Sequence, residues 1–181
     1  MLLRLRIWVS EKITGKTMLP ARILAWYPKA AIGSGVLEAL VAHQDGTLDP
    51  RMLKLVRMAV SFAVACPFCI DMNSNEYQLI GISEAEVLAL RGIIEVESVP
   101  SFSMREKLAI QYARLISQTS LKFYPDFIEQ IKANFTEREM VILASTAAQV
   151  NYCGHGSSKP WAFLRQDLAK NSFTFFAQNF S

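Results

Sequence analysis

The chain has 181 residues, 51% of them hydrophobic, and a formal net charge of +3 at pH 7. This much apolar sequence can bury one substantial core, so we expect a folded domain and not a disordered chain. The basic residues are scattered, and so small a net charge does not favour nucleic acid or a membrane surface as a partner.

The N-terminal segment MLLRLRIWVSEK places Arg4 and Arg6 inside its apolar stretch, which interrupts the core that a secretory signal needs. The most apolar stretch, residues 52–70, contains Lys54 and Arg57 and has an apolar stripe at helical spacing, so it predicts a buried helix and not a membrane span. We expect a cytoplasmic setting. In that reducing compartment a close cysteine pair serves catalysis or metal binding more often than a permanent disulfide.

Helix-start signals recur along the chain. Asp49 before Pro50 predicts an N-cap followed by a proline in the first turn, and Cys66 before Pro67 repeats the arrangement in a helix that we expect to end at Gly81. The capping-box spacing, a hydroxyl residue three positions before a glutamate, occurs at Ser83 and Glu86, Ser103 and Glu106, and Thr136 and Glu139. Pro20, Pro125 and Pro160 mark further first turns.

Strand signals are weak, since only residues 93–99 look extended, and they lie between two predicted helices. The sequence therefore predicts a single all-α domain over residues 1–181, built as a bundle of seven to nine helices. Its parts are a core segment at about 48–91, which contains the cysteine pair, and a second helical half at about 103–161.

The sequence Cys66-Pro67-Phe68-Cys69 carries the most specific chemistry. If Cys66 is the N-cap, Cys69 falls in the first helical turn, where unpaired N–H groups and the helix dipole stabilise a thiolate and lower its pKa. A second thiol three residues away can then close on an oxidised sulfur to form a disulfide. Two inert core cysteines remain an alternative interpretation.

The stretch LDPRMLKLVRMAVSFAVACPFCIDMNSNEYQLIGISEAEVLAL resembles the core segment of the carboxymuconolactone decarboxylase family, in its alkylhydroperoxidase D-like branch. Residues 103–152 resemble the second helical half of that family. The resemblance implies an all-α homo-oligomer that reduces peroxides without a cofactor, while an external dithiol re-reduces the protein. It assigns the peroxide-reactive thiol to Cys69 and the resolving thiol to Cys66.

Two positions depart from the family pattern, which has a histidine four residues after the second cysteine and a glutamate twelve residues before the first. This chain has Asn73 and Lys54 there. Asn73 can orient a water or bond to the sulfur, but its amide cannot exchange a proton near neutral pH. Lys54 could stabilise a thiolate by its charge, or act as a base if burial lowered its pKa. Glu76, two helical turns after Cys69, is a possible replacement base.

Cys153 and His155 raise the possibility of a zinc site shared with the cysteine pair, because thiolates and imidazole are the usual zinc ligands. The spacing of one residue between them is too tight for the common patterns, so no metal is expected. We expect residues 151–156 to form a loop after a helix, with Cys153 partly buried and His155 at the surface or in an oligomer contact.

The sequence thus leaves two functions open. One is a thiol peroxidase acting on a small-molecule peroxide. The other is a non-catalytic or redox-sensing oligomeric helical protein that has lost the family's proton relay. Phosphate-binding loops and the HExxH motif are missing from the sequence, which gives nucleotide-dependent and metalloprotease activities no support. The aromatic tail at 171–181 is expected to form an oligomer contact.

Overall fold

The computed structural model describes residues 2–15, 19–42, 46–118 and 121–157. Every regular element in these ranges is helical, which confirms the all-α prediction. The α-helices are α1 (Leu2–Thr14), α2 (Leu19–Leu24), α3 (Pro28–Ala42), α4 (Pro50–Ala63), α5 (Pro67–Ser74), α6 (Glu84–Leu90), α7 (Met104–Ile116), α8 (Pro125–Asn134) and α9 (Glu137–Ser157). Single 3₁₀ turns lie at Tyr77–Ile80 and Val96–Ser98.

The chain divides into two compact units, one formed by residues 1–40 with 155–181 and the other by residues 41–154. The first contains α1, α2 and most of α3. Within it, Arg22 of α2 pairs with Glu11 of α1 at 2.5 Å. The second unit contains α4 to α8 and most of α9, together with the cysteine pair. The single domain inferred from the sequence stays a prediction.

The core of the second unit is organised around α4. Leu55, Val56, Met58 and Val60 of this helix are completely buried, in a cluster that includes the buried Ile110 of α7. Their spacing covers most of the helix circumference, because neighbouring helices pack on several sides of it. Each such side chain contributes about 1.5–3 kcal/mol when it is removed from water. α4 is therefore the central helix of this unit, and α5, α6 and α7 pack against it.

The predicted helix starts are confirmed in this unit. Asp49 accepts the backbone N–H of Arg51 at 2.7 Å, and the capping boxes that begin α6 and α7 are complete in both directions. At the start of α9, Thr136 and Glu139 make the same reciprocal pair of bonds. Such caps satisfy N–H groups that have no partner inside the helix.

A single arginine links two of these caps. Arg51 of α4 contacts Glu86 at 2.5 Å and Glu106 at 2.8 Å, and it donates to the carbonyl of Gly81 at 2.7 Å. Burial of Glu86 acts to raise its pKa, but hydrogen bonds from Arg51, Ser101 and the Ser83 backbone outweigh it and hold the pKa below its ordinary value. The starts of α6 and α7 are thus fixed to α4 by charge as well as by packing.

Two local predictions in this part of the chain differ from the structure. α5 ends at Ser74 and not at Gly81, because Glu76 takes a left-handed conformation with φ of 54° that a continuing α-helix does not allow. Gly81 instead ends the following 3₁₀ turn, also with a positive φ. Residues 93–99 are not extended throughout, since Val96–Ser98 forms a 3₁₀ turn. Pro160 lies outside the described residues.

In the described part of the chain, no helix combines the length and the apolar character needed to cross a bilayer.

Candidate active site

The cysteine pair begins at a tight turn between α4 and α5. Ala65 sits in the left-handed region with φ of 49°, a conformation that costs a residue with a Cβ about 1–2 kcal/mol. The next residue, Cys66, is extended, and its N–H donates to the carbonyl of Ser61 at 3.3 Å. The turn therefore redirects the chain so that α5 starts directly beside the end of α4.

Cys66 is the N-cap of α5 and Pro67 is its first helical residue, as the sequence predicts. The Cys66 sulfur accepts the backbone N–H of Cys69 at 3.3 Å. Both cysteines are fully buried and are not joined as a disulfide. The arrangement brings the two thiols together at the positive end of a helix, where the backbone solvates one of them in place of water.

The expected fall in the pKa of Cys69 is wrong. A hydrogen bond with the Cys66 sulfur, burial, and negative charge on Cys66 together raise the pKa of the Cys69 thiol well above its ordinary value, and charge on Cys153 adds to the effect. The N–H of Cys69 acts to lower this pKa, but it also donates to the Cys66 sulfur and does not offset the other effects. The protonated form of Cys69 is therefore favoured, whereas the Cys66 sulfur has a backbone N–H beside it that can stabilise negative charge.

Asn73 lies one turn after Cys69 and is buried, with 7% of its surface exposed. Its side-chain amide donates to the hydroxyl of Ser61 at 3.0 Å, and this hydroxyl donates to the carbonyl of Arg57 at 2.7 Å. Ser61, itself fully buried, thus holds both the Cys66 backbone and the Asn73 side chain. The sequence interpretation missed Ser61. Its signal is a hydroxyl residue on the otherwise apolar face of α4.

Lys54 donates from Nζ to the carbonyl of Asn75 at 2.7 Å, in the turn that follows α5. Burial and the nearby charge of Arg57 lower the pKa of Lys54, against an opposing effect of Glu76. This contact gives Lys54 a structural role in closing the end of α5. Glu76 is exposed and lies beyond the end of α5, so the argument that placed it on one helix face with Cys69 fails.

The end of α9 packs against the start of the cysteine motif. A Cβ placed on Gly154 would lie 2.6 Å from Cγ2 of Val64 and 3.8 Å from Cβ of Cys66. Residues 151–156 are helical and do not form the predicted loop. Glycine at position 154 lets this helix approach the α4–α5 turn closely. Cys153 is partly buried as predicted, and Gln149 donates to its sulfur at 3.7 Å. The side chain of His155 lies outside the described residues.

Within the described ranges, no three His, Cys, Asp or Glu side chains are grouped so that they could share a metal ion. The zinc alternative would need His155, on whose side chain the structure gives no information. The arrangement that the structure does give is a buried dithiol, with one sulfur solvated by the backbone and the other sharing its proton.

Comparison with known proteins agrees with this architecture. The sequence is 25% identical over 119 residues to the uncharacterized protein YnjA of Escherichia coli (strain K12), a match that covers 66% of this chain and 64% of YnjA. It is 26% identical over 130 residues to the uncharacterized protein YdfG of Bacillus subtilis (strain 168), covering 71% of this chain and 86% of YdfG. The chain thus spans slightly under two thirds of YnjA and most of YdfG.

Two solved structures share the fold. A protein of unknown function from Agrobacterium tumefaciens, provisionally described as the antioxidant defence protein AhpD, aligns with a TM-score of 0.60 at 22% identity, over 76% of this chain and 93% of that one. A cysteine-to-alanine variant of the debrominase Bmp8, solved in complex with 2,3,4-tribromopyrrole, aligns with a TM-score of 0.63 at 16% identity, over 81% of this chain and 76% of that one. At such identities the likeness concerns the fold alone.

A family profile matches the segment from α3 to α7, which includes the whole cysteine motif. The matched residues, 34–114, are slightly under half of the chain, and they confirm the resemblance drawn from the sequence. This segment is similar to the carboxymuconolactone decarboxylase family, and the described part of the chain has an AhpD-like fold.

Proposed function

We propose that the protein is a thiol-dependent oxidoreductase that reduces peroxides through a dithiol–disulfide cycle of Cys66 and Cys69. The observation that carries the proposal is the hydrogen bond from the Cys69 N–H to the Cys66 sulfur at the first turn of α5. It holds two thiols side by side and gives negative charge a preferred position on one of them. A dithiol in this state is poised to lose two electrons and form a disulfide.

The proton needed for peroxide cleavage comes from the pair itself. Cys66 carries the negative charge and Cys69 the proton, so transfer of that proton from Cys69 to Cys66 generates the attacking thiolate. The Cys66 thiolate thereby acts as the base that the family's histidine and glutamate would otherwise supply at positions 73 and 54. Asn73, bonded to Ser61, positions α5 but moves no proton.

The steps balance in atoms and charge. The Cys69 thiolate attacks the terminal oxygen of a hydroperoxide, ROOH, and becomes a sulfenic acid, while the O–O bond breaks and the leaving alkoxide takes the proton from Cys66 to give ROH. The Cys66 thiolate then attacks the sulfenic acid sulfur and releases hydroxide as the disulfide forms. Thiolate, thiol and ROOH thus become disulfide, ROH and hydroxide, and the peroxide is reduced by two electrons.

The surroundings of the pair favour an organic hydroperoxide as substrate. Cys66 and Cys69 are members of the buried apolar cluster, which includes Val64 and is packed on by Phe68, so an alkyl group gains by entering this region whereas hydrogen peroxide does not. We propose an external dithiol as the reductant, a homo-oligomer as the working assembly and the cytoplasm as the location. The antioxidant description of the Agrobacterium tumefaciens neighbour agrees with this proposal.

The test is a single-turnover oxidation. Reduced protein is mixed with one equivalent of tert-butyl hydroperoxide, and thiols are mapped by mass spectrometry. We expect a Cys66–Cys69 disulfide in the wild type and, when dimedone is present to capture it as it forms, a Cys69 sulfenic acid in Cys66→Ser. Cys69→Ser should form no such disulfide and should be oxidised more slowly. Thiols that survive excess hydroperoxide, or a sulfenic acid found on Cys66, would contradict the proposal.

A second function, a redox sensor without efficient turnover, is favoured by the complete burial of both sulfurs and by the missing relay. It predicts the same disulfide but no sustained consumption of peroxide. Steady-state turnover with tert-butyl hydroperoxide and excess dithiothreitol distinguishes the two. Continued consumption beyond ten equivalents supports the peroxidase, and a stop after one equivalent supports the sensor.

A further inference from the structure

The burial of Cys66 and Cys69 limits how an external dithiol can reduce the disulfide between them. Both residues have 0% of their surface exposed. Thiol–disulfide exchange requires the attacking sulfur to contact the disulfide directly, so an external dithiol has no access to a buried disulfide in this position. The cycle proposed above therefore needs either local opening of the structure or a third thiol that reaches both solvent and the pair.

Cys153 fits the second requirement. It is the remaining cysteine of the chain, it is only partly buried, and it packs against the core cluster that contains the other two. The following residue, Gly154, packs directly against the start of the cysteine motif, since a Cβ placed on it would lie 3.8 Å from Cβ of Cys66, so Cys153 is one residue away from that contact. In agreement with this proximity, negative charge on Cys153 adds to the rise in the pKa of the Cys69 thiol.

We propose that Cys153 is a relay thiol that passes reducing equivalents from an external dithiol to the Cys66–Cys69 disulfide. The inference rests on the proposed function, since it concerns the reductive half of that cycle. It assigns a role in thiol exchange to a cysteine at the end of α9. It also accounts for three cysteines gathered around one helix start.

The exchange proceeds in three balanced steps. The Cys153 thiolate attacks the Cys69 sulfur, so that a Cys69–Cys153 disulfide forms and Cys66 leaves as a thiolate. One sulfur of the external dithiol then attacks Cys153, which forms a mixed disulfide and releases Cys69. The second sulfur of the dithiol attacks the first and releases Cys153. The external dithiol loses two electrons and two protons, and the Cys66–Cys69 pair regains them.

The direction of the first step follows from the hydrogen bonding at the start of α5. A thiolate leaves faster when its environment stabilises negative charge. The Cys66 sulfur accepts the N–H of Cys69 at 3.3 Å, whereas burial and the neighbouring Cys66 sulfur disfavour negative charge on Cys69. Attack at Cys69 with departure of Cys66 is therefore the favoured path, and a disulfide between Cys69 and Cys153 is the intermediate that should be trapped.

The experiment separates the two halves of the cycle. Wild-type protein and Cys153→Ser are first oxidised with tert-butyl hydroperoxide, and the disulfide is then reduced with dithiothreitol while thiols are counted by alkylation and mass spectrometry. We expect equal oxidation rates and at least a tenfold slower reduction in Cys153→Ser. Ala148→Ser, an exposed change on the same helix, is the matched control and should reduce at the wild-type rate.

A second measurement does not depend on how well Cys153→Ser folds. In Cys66→Ser, hydroperoxide should convert the Cys69 sulfenic acid into a Cys69–Cys153 disulfide, identified by its linked peptides. Equal reduction rates together with the lack of these peptides would overturn the relay and leave the peroxidase proposal intact. Failure of the wild type to form any Cys66–Cys69 disulfide would instead refute the proposed function.

Discussion

Replacing Arg51 by methionine should be among the most destabilising single changes in the second unit. The side chain of Glu86 is 1% exposed and that of Glu106 is 11% exposed, and both would keep their charge without the cation that now contacts them at 2.5 and 2.8 Å. Removing one partner of a buried ion pair lowers the stability of the fold by about 3–5 kcal/mol. Because 21% of the Arg51 side chain remains exposed, we take the lower end, about 3 kcal/mol.

Such a loss reduces the folding equilibrium constant about 100-fold and lowers the melting temperature by about 6–12 °C. Urea unfolding and calorimetry measure both quantities. Lys132→Met is the matched control, since Lys132 pairs with Glu129 on the surface with 68% and 75% of the side chains exposed. Exposed pairs contribute about 0–1 kcal/mol. The explanation fails if the two variants lose the same stability.

The pH dependence tests the cause of the loss. In the wild type the pKa of Glu86 is lowered, so its contribution to stability is present above the ordinary carboxyl pKa and is lost as the pH falls through the folded value. In Arg51→Met the hydrogen bond and charge of Arg51 are gone, so the pKa of Glu86 rises from its wild-type value, although Ser101 and the Ser83 backbone still donate to the carboxylate. Protonation then relieves the buried charge, so the stability difference between wild type and variant should shrink from pH 7 towards about pH 4. A difference independent of pH would point to lost packing instead.

Two further changes test the contacts around the cysteine motif. Gly154→Ala should lower the free energy of unfolding by about 1–2 kcal/mol, because overpacking against Val64 outweighs the better helix propensity of alanine. In a Val64→Ala background the same change should become neutral or stabilising. Gly35→Ala is the control and should stabilise, because a Cβ there meets no atom within 4 Å. A loss of stability in either case would refute the packing argument. Ser61→Ala should lower the free energy of unfolding by about 1–3 kcal/mol, because it leaves the Asn73 amide without its buried acceptor. Urea unfolding should show that adding Asn73→Leu recovers part of this loss. A further loss in the double variant would exclude the explanation.

The predictions that the structure confirms best concern helix starts, which depend only on residues close together in the sequence. An N-cap needs only its own side chain and the next few N–H groups, so Asp49 and the three capping boxes could be identified without knowledge of the fold. The cysteine motif at the start of α5 followed from the same reasoning. The seven residues after Ser74 could not be predicted in this way, because the left-handed Glu76 breaks a sequence that otherwise reads as helical.

The electrostatics of the site depended on contacts that local sequence does not specify. The helix start at Cys66 was predicted, but which sulfur receives the available N–H is decided by the extended backbone of Cys66. Ser61 became relevant only once α4 and α5 were seen to pack side by side. Gly154 could not be connected to Cys66 from sequence, since 88 positions separate them and only the packing of α9 brings them together.

The central helix α4 has one further consequence. Arg51 lies near its beginning and Ser61 near its end, ten residues and thus about 15 Å apart along the axis. Changes at sites this far apart usually add independently. The stability of the fold can therefore be changed at Arg51 without altering how easily the cysteine sulfurs are oxidised, because the length of α4 separates the two sites.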